Sequence, residues 1–259
     1  VIAIAAPGAR SESGLLRGAA ILGLGLALTG LLLLAAGPIG WRAGWWGYQI
    51  AFTRLMLYAF GSGIAAMAVS AFVLLASRGR VARRRLIVAA LGLIIGGVAA
   101  YFPWRASETR GATAPMHDIT TDFADPPSFE FAAARRAAEH GSPATYPGGD
   151  TAALQRKFYP GIEPAILDSP PAQAFDRIMA VVKAKGWTIV KTDPATGIIE
   201  AYDRSFWFGF TDDIAIRVTP SDDGSRVDIR SGARQGRGDY GVNAARVRGF
   251  LAALKRTTP

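Results

Sequence analysis

The chain has 259 residues, no cysteine, and 29 Lys and Arg against 20 Asp and Glu, a formal net charge of +9. The missing thiols exclude disulfides, thiolate metal sites and a Cys nucleophile. The basic excess sits in residues 1–104, where nine Arg face one acid, Glu12; residues 105–259 are close to neutral, which argues against a nucleic-acid footprint on the folded part.

Three uncharged apolar stretches come first: Gly18–Gly40, Leu55–Ser77 and Leu86–Trp104. Each is close to the ~20 residues a helix needs to cross a bilayer. The first is longer than the ~7–15 apolar residues of a cleaved signal peptide, so it reads as a retained span. Arg78, Arg80, Arg83, Arg84 and Arg85 crowd the connection between the second and third stretches. The positive-inside rule then places that loop and the N-terminus in the cytoplasm and everything after Trp104 in the periplasm of a bacterial inner membrane. Anionic inner-leaflet lipid suits the same loop.

Trp41, Trp45, Trp46 and Tyr48 lie in the first outer loop, with Arg54 shortly after. Indole and phenol rings favour the headgroup level, and a long Arg side chain reaches it by snorkelling, so these five residues read as membrane-interface groups. A quinone or pigment pocket is the alternative reading of the same aromatics. Gly92 and Gly96 form a GxxxG, which suits close helix packing, either within the three-helix unit or against a partner's helix. The spans contain no carboxylate for a proton relay, which argues against transport.

Beyond the spans, residues 105–157 read as a linker and irregular segment with one short helix at Phe129–Glu139. Consecutive Pro126 and Pro127 and the loop Gly141–Asp150 support that reading. Residues 158–259 carry clearer periodicities. A short strand at Ile162–Leu167 precedes a helix capped by Asp168 or Ser169 and stopped by Gly186. Strands follow at Trp187–Lys191, Ile198–Ser205, Asp213–Thr219 and Arg226–Ser231, then a helix from about Val242 to Lys255. The predicted order is β-α-β-β-β-β-α, an antiparallel sheet with both helices on one face. Ile214, Ile216, Val218, Val227 and Ile229 should face Phe250 and Leu254. Arg217, Asp228 and Arg230 fall on the other face, which reads as half solvated.

The segment Arg234–Asn243 gathers Arg234, Arg237, Asp239, Asn243 and, one turn into the last helix, Arg246. Arginines, glycines and free helix N–H groups suit a carboxylate or phosphate, so these five are the candidate ligand- or partner-binding residues. The competing reading is structural, with Asp239 or Asn243 capping the helix and Arg234 pairing with an acid. Phe206–Phe210 is dense in aromatics and reads as core and rim, with lipid or partner contact as the alternative. His117, Asp118, Asp122 and Asp125 lack the spacing of a metal site, and Asp212 and Asp213, adjacent in a strand, point to opposite faces. No catalytic residue, metal or cofactor is assigned.

His117–Asp122 with Asp125–Pro127, Tyr159-Pro160, Gly186-Trp187, Ile199–Ala201, Phe210–Asp213, Val227–Ser231, Arg234, Gly236, Asp239, Gly241, Asn243 and Arg246 together resemble the DUF1499 family, over roughly residues 116–256. The helical N-terminus resembles the three-span form of that family. The resemblance supports the fold and extracytoplasmic placement and implies no catalytic residue. The expected function is a non-enzymatic accessory or assembly subunit whose periplasmic domain contacts a larger integral membrane complex, a photosynthetic or respiratory one being the expectation. A periplasmic module for a lipid or small anion, with a cavity lined by Phe175, Trp187, Trp207 or Phe208, is the alternative.

Overall fold

The computed structural model describes residues 7–77, 83–236 and 238–256. They fall into two compact units, 1–108 and 109–259. Arg78 and Arg80 of the basic loop lie outside the described residues.

The first unit contains helix α1 (Pro7–Arg42), a π-helical turn (Gln49–Arg54) leading directly into α2 (Leu55–Ala76), and most of α3 (Arg83–Ala112). Three helices here are long and apolar enough to cross a membrane: Gly14–Arg42, Gln49–Ala76 and Arg83–Ala112. Small residues line their interior, among them Ala20, Ala27, Ala59, Ala66, Ser70, Ala89 and Ala99, while Leu22, Leu32, Leu57, Phe72, Leu75 and Ile94 are exposed. Lipid tails are as apolar as Leu, so large side chains gain little by turning inward, and close backbone approach drives packing instead. The GxxxG serves this internal packing. A Cβ on Gly96 would sit 2.9 Å from the Gly63 carbonyl oxygen, and one on Gly92 would sit 2.4 Å from Ser70 Oγ and 3.1 Å from Leu24 N.

Between α1 and α2, Trp41 and Tyr48 meet edge to face at 6.5 Å, as do Trp45 and Trp46 at 5.9 Å. Trp46 covers Gly40 and donates from its indole N–H to the Gly37 carbonyl at 3.4 Å, whereas Trp45 and Arg54 are exposed.

The second unit holds a six-stranded antiparallel sheet. Its strands are β1 (Asp118–Thr120), β2 (Ala165–Leu167), β3 (Thr188–Asp193), β4 (Ile198–Arg204), β5 (Thr211–Ser221) and β6 (Gly224–Ala233). The order is β1-β6-β5-β4-β3, and β2 shares the outer edge of β6 with β1. Helices α6 (Pro171–Ala184) and α7 (Val242–Arg256) join with one sheet face in a single core. From residue 158 on the order is the expected β-α-β-β-β-β-α. The register also holds: Ile214, Ile216, Val218, Val227 and Ile229 are buried with Phe250 and Leu254. Trp187 stacks on Phe250 at 5.9 Å, and Phe175 belongs to the same core, so both pack rather than line a cavity.

Three local expectations are corrected. Residues 118–120, read as irregular, form a strand on β6, and Ile119 enters the core. Three residues are too few for a periodic signal; pairing alone makes this strand. Gln155 replaces a neighbour on its far side, accepting from Thr120 N (3.0 Å) and donating to Thr120 O (2.7 Å). That Gln comes from α5 (Gly149–Phe158), a second helix in the stretch expected to be mostly irregular, beside α4 (Glu130–Ala138). Finally, α6 has Pro170 at its N-cap, with no side-chain cap bond, rather than Asp168 or Ser169. The fixed φ of proline sets the first turn instead.

Candidate functional site

Charge fills the second face of the sheet, and most of it is buried, with Arg217 and Arg226 at its margin 19% and 39% exposed. Asp118, Glu200, Asp213, Asp228 and Arg230 project from the strands, Arg234 follows β6, and Arg136 comes down from α4; all are at most 3% exposed. This corrects the expectation of a half-solvated face. Residues 121–145, including α4, lie over it.

Asp213 is the centre. Its carboxylate accepts from Arg136 Nε at 2.8 Å and from Arg234 Nη2 and Nε at 2.7 and 3.0 Å. Arg136 further donates to the carbonyls of Gly232 (2.7 Å) and Pro143 (3.3 Å), and Arg234 to Glu139 (2.8 Å). Burial pulls the Arg136 guanidinium below its ordinary pKa against the attraction of Asp213. For Arg234 burial acts the same way, but Asp213 and Glu139 outweigh it and hold the pKa above the ordinary value.

Next along the face, Arg230 grips Asp118 through two bonds of 2.9 and 2.7 Å and reaches the Ala144 carbonyl at 2.9 Å. Two parallel N–H···O bonds match a carboxylate's geometry, so this pair fixes orientation as well as charge. Phe129 lies between cations, with Arg230 4.2 Å and Arg136 4.5 Å from its ring centre. Burial, aided by Asp118, pushes the Tyr146 hydroxyl up to about 12, so it stays neutral beside Arg230. Glu200 on β4 accepts from the backbone N–H groups of Glu130, Phe131 and Ala132 at 2.9–3.3 Å. It thereby caps α4, whose own N-cap, Phe129, supplies no side-chain bond.

At the far end, Arg226 and Arg217 share Asp122 and Asp228, and Arg217 also holds Asp125 at 2.7 Å. Asp118, Asp122 and Asp125 are thus engaged by arginines, and no cluster of three His, Asp or Glu suited to a metal forms among the described residues.

The structure places four of the five residues singled out around Arg234–Asn243; Arg237 lies outside the described residues. Arg234 turns to the charged face. Arg246 lies on the other face, donating to Asp212 (2.7 Å), Asp203 (3.1 Å), Asn243 Oδ1 (2.6 Å) and Ser231 Oγ (3.2 Å). Asn243 is buried and donates to the His117 carbonyl at 3.2 Å. Asp239 accepts from Gly241 N (2.9 Å) and Asn243 N (2.7 Å), giving the start of α7 its cap. Of the two readings of this segment, these bonds match the structural one for Asp239, which caps the helix, and for Arg234, which pairs with Asp213 and Glu139. Asp212 and Asp213 do point to opposite faces, each to its own arginine. Sequence reasoning missed Arg136, Glu139 and Glu200. Their signal was faint: Arg136 and Glu139 sit in the Ala-rich stretch 130–139 beside a second arginine, Arg135, and Glu200 stands among apolar residues on β4.

The family described as "Protein of unknown function (DUF1499)" matches residues 118–254, from the first residue of β1 to the last turn of α7. The chain belongs to the DUF1499 family. The match takes in both sheet faces and the segment over the charged one, so the DUF1499 domain is built with its ion pairs inside. No curated protein matches the chain.

Two outcomes are expected in urea unfolding of the detergent-solubilised protein, followed by near-ultraviolet circular dichroism. Asp213→Ala leaves two buried guanidinium groups without their carboxylate and should cost about 3–5 kcal/mol. Arg136→Met should cost less, since Asp213 keeps Arg234; the reverse order would remove Asp213 from the centre of the layer.

Asp212 gives a pH test. Burial holds its carboxyl above the ordinary range, with the Arg246 guanidinium pulling the other way. A carboxyl raised on folding adds stability that is fully present below its unfolded pKa and is lost as pH rises through the folded value. Thermal midpoints of Asp212→Asn, measured against the native chain, should therefore gain in relative terms as pH climbs through and above the ordinary carboxylate range. A constant difference across that range would contradict the shift.

Proposed function

We propose that the protein is a non-enzymatic accessory or assembly subunit, held in the bilayer by its three helices, whose DUF1499 domain contacts a larger integral membrane complex. Supporting this reading is the engagement of the domain's buried carboxylates: Asp118, Asp212, Asp213 and Asp228 are held by arginines and Glu200 by helix N–H groups. A general acid or nucleophile needs a group free to exchange protons or attack, and these groups are committed to the fold. Recognition then falls to the outer surface of the domain, including the outward side of the 234–243 loop, rather than to Arg234 or Arg246.

The periplasmic side is part of the proposal and rests on the charge of the loops: five arginines at 78–85 against Arg42 alone in the opposite short connection. Alkaline phosphatase fused after residue 259 should be active, and a cytoplasmic reporter at the same point should be silent. The reverse pattern would invert the orientation.

Purification from membranes in mild detergent through a tag on the full chain should bring down integral membrane proteins in fixed stoichiometry. Recovery of the chain alone, across several mild detergents and after cross-linking in membranes, would remove the accessory role.

A further inference from the structure

The turn between β4 and β5 combines a rigid base with an exposed apolar tip. Phe206 is 98% exposed, the highest value for a large apolar side chain among the described residues, and Trp207 is 40% exposed. Phe208, next in the chain, is buried and stacks on Phe210 at 5.1 Å with the rings 7° apart. Ser205 ties the base: its N–H donates to the Phe210 carbonyl (2.9 Å), its Oγ accepts from Phe210 N (3.0 Å), and its carbonyl accepts from Gly209 N (2.8 Å). The expected core-and-rim reading thus holds for Phe208 and not for Phe206, which this scaffold presents to the outside. An aromatic held in water gains by reaching an interface.

Register shows which end of the sheet carries the tip. Arg204 pairs with Thr211 at the close of the β4–β5 ladder, and Arg234 N donates to the Thr211 carbonyl at 2.9 Å. One residue back, Ala233 N donates to the His117 carbonyl at 2.9 Å, and Asp118 pairs with Gly232. The chain coming from the third span therefore joins the sheet at the same end from which Phe206 projects. Charge is distributed to match. Exposed Arg204 adjoins the tip, next to Asp203, which Arg246 holds, whereas the turn at the opposite end, closed by Ser221 pairing with Gly224, carries exposed Asp222 and Asp223 and has Arg226 nearby.

We propose that the β4–β5 turn is a lipid-contacting element: Phe206 and Trp207 sit in the headgroup region of the bilayer that holds the anchor, with Arg204 beside anionic headgroups. Aromatic rings with an adjacent cation are the groups that settle at this depth. The contact is with lipid rather than with a protein complex, so this inference stands or falls separately from the accessory role.

The absence of native cysteine makes the test direct. Phe206→Cys and, at the opposite sheet end, Asp223→Cys are each labelled with a nitroxide on the full-length protein. The protein is placed in nanodiscs of phosphatidylethanolamine and phosphatidylglycerol. Collision with oxygen, which concentrates in lipid, is compared with collision with a water-soluble nickel complex. Both positions are exposed, so both variants should fold. The label at 206 should show an oxygen-to-nickel ratio several-fold above that at 223. Equal ratios at the two positions would overturn the proposal. Protection of the 206 label from both reagents would overturn it too, and would mark the turn as a protein-docking surface instead.

Discussion

One buried carboxylate, Asp213, sets the terms for the DUF1499 domain. It lies between two arginines that come from different directions, Arg136 from α4 and Arg234 from the end of β6. A charge removed from water on this scale is tolerable only where its partner is fixed in place. The strands alone cannot provide that, because Arg136 and Glu139 arrive only when α4 is seated. Sheet and cover are therefore interdependent. Asp118 extends the argument: Arg230 can be buried only once β1 has delivered its carboxylate. Hydrophobic burial builds the first face and tolerates modest slippage of side chains, whereas paired bonds of 2.7–2.9 Å on the second face tolerate little. We regard that directional demand, rather than added stability, as the main consequence of the layer; replacing such pairs with hydrocarbon often leaves a protein equally stable.

The membrane unit solves the opposite problem. Its surroundings are apolar, so no gain comes from hiding Leu and Ile, and its interior instead contains what lets backbones meet. Gly63, Gly92 and Gly96 mark the contacts, and Ser70 fills the space between Gly23 and Gly92. The spans therefore show little difference in apolarity around their circumference, and their inward faces are read from residue size. In the DUF1499 domain polarity misleads in the reverse sense, since its most charged face is an inside face.

This explains what could be read from the sequence. Ile214, Ile216, Val218, Val227 and Ile229 alternate with other residues at period two, and α6 and α7 show apolar residues at helical spacing, so the first face and its register were legible. The second face was not, because Asp213, Arg217, Asp228 and Arg230 would produce the same alternation on a wet sheet. Only the covering segment distinguishes the two cases, and it is nearly silent: β1 has three residues, α4 is mostly Ala, and prolines punctuate the rest. The acid expected as a partner for Arg234 could not be named for a related reason: Asp213 lies 21 residues earlier, on the neighbouring strand. A long-range pair of this kind leaves no local pattern. Legibility here followed periodicity, and the candidate site depended on contacts that have none.

The arrangement also limits how the sheet can meet other molecules. β6 would present one long edge, and β1 and β2 divide it between them, with Gln155 closing the outer side of β1 at Thr120. The other edge is β3, where the pairing shifts between Ile189 and Lys191 and Lys191 reaches across to Glu130. A bulge and an edge lysine are both features that oppose strand addition. α6 and α7 cover one face and residues 121–145 the other. With both faces and both edges occupied or defended, the ends of the strands are the parts of the sheet left for recognition. Of the two ends, one carries adjacent aspartates and the other an aromatic turn beside the residues through which the chain arrives from the membrane. A fold closed in this way keeps its interior charges out of reach and leaves its contacts with the surroundings to its loops.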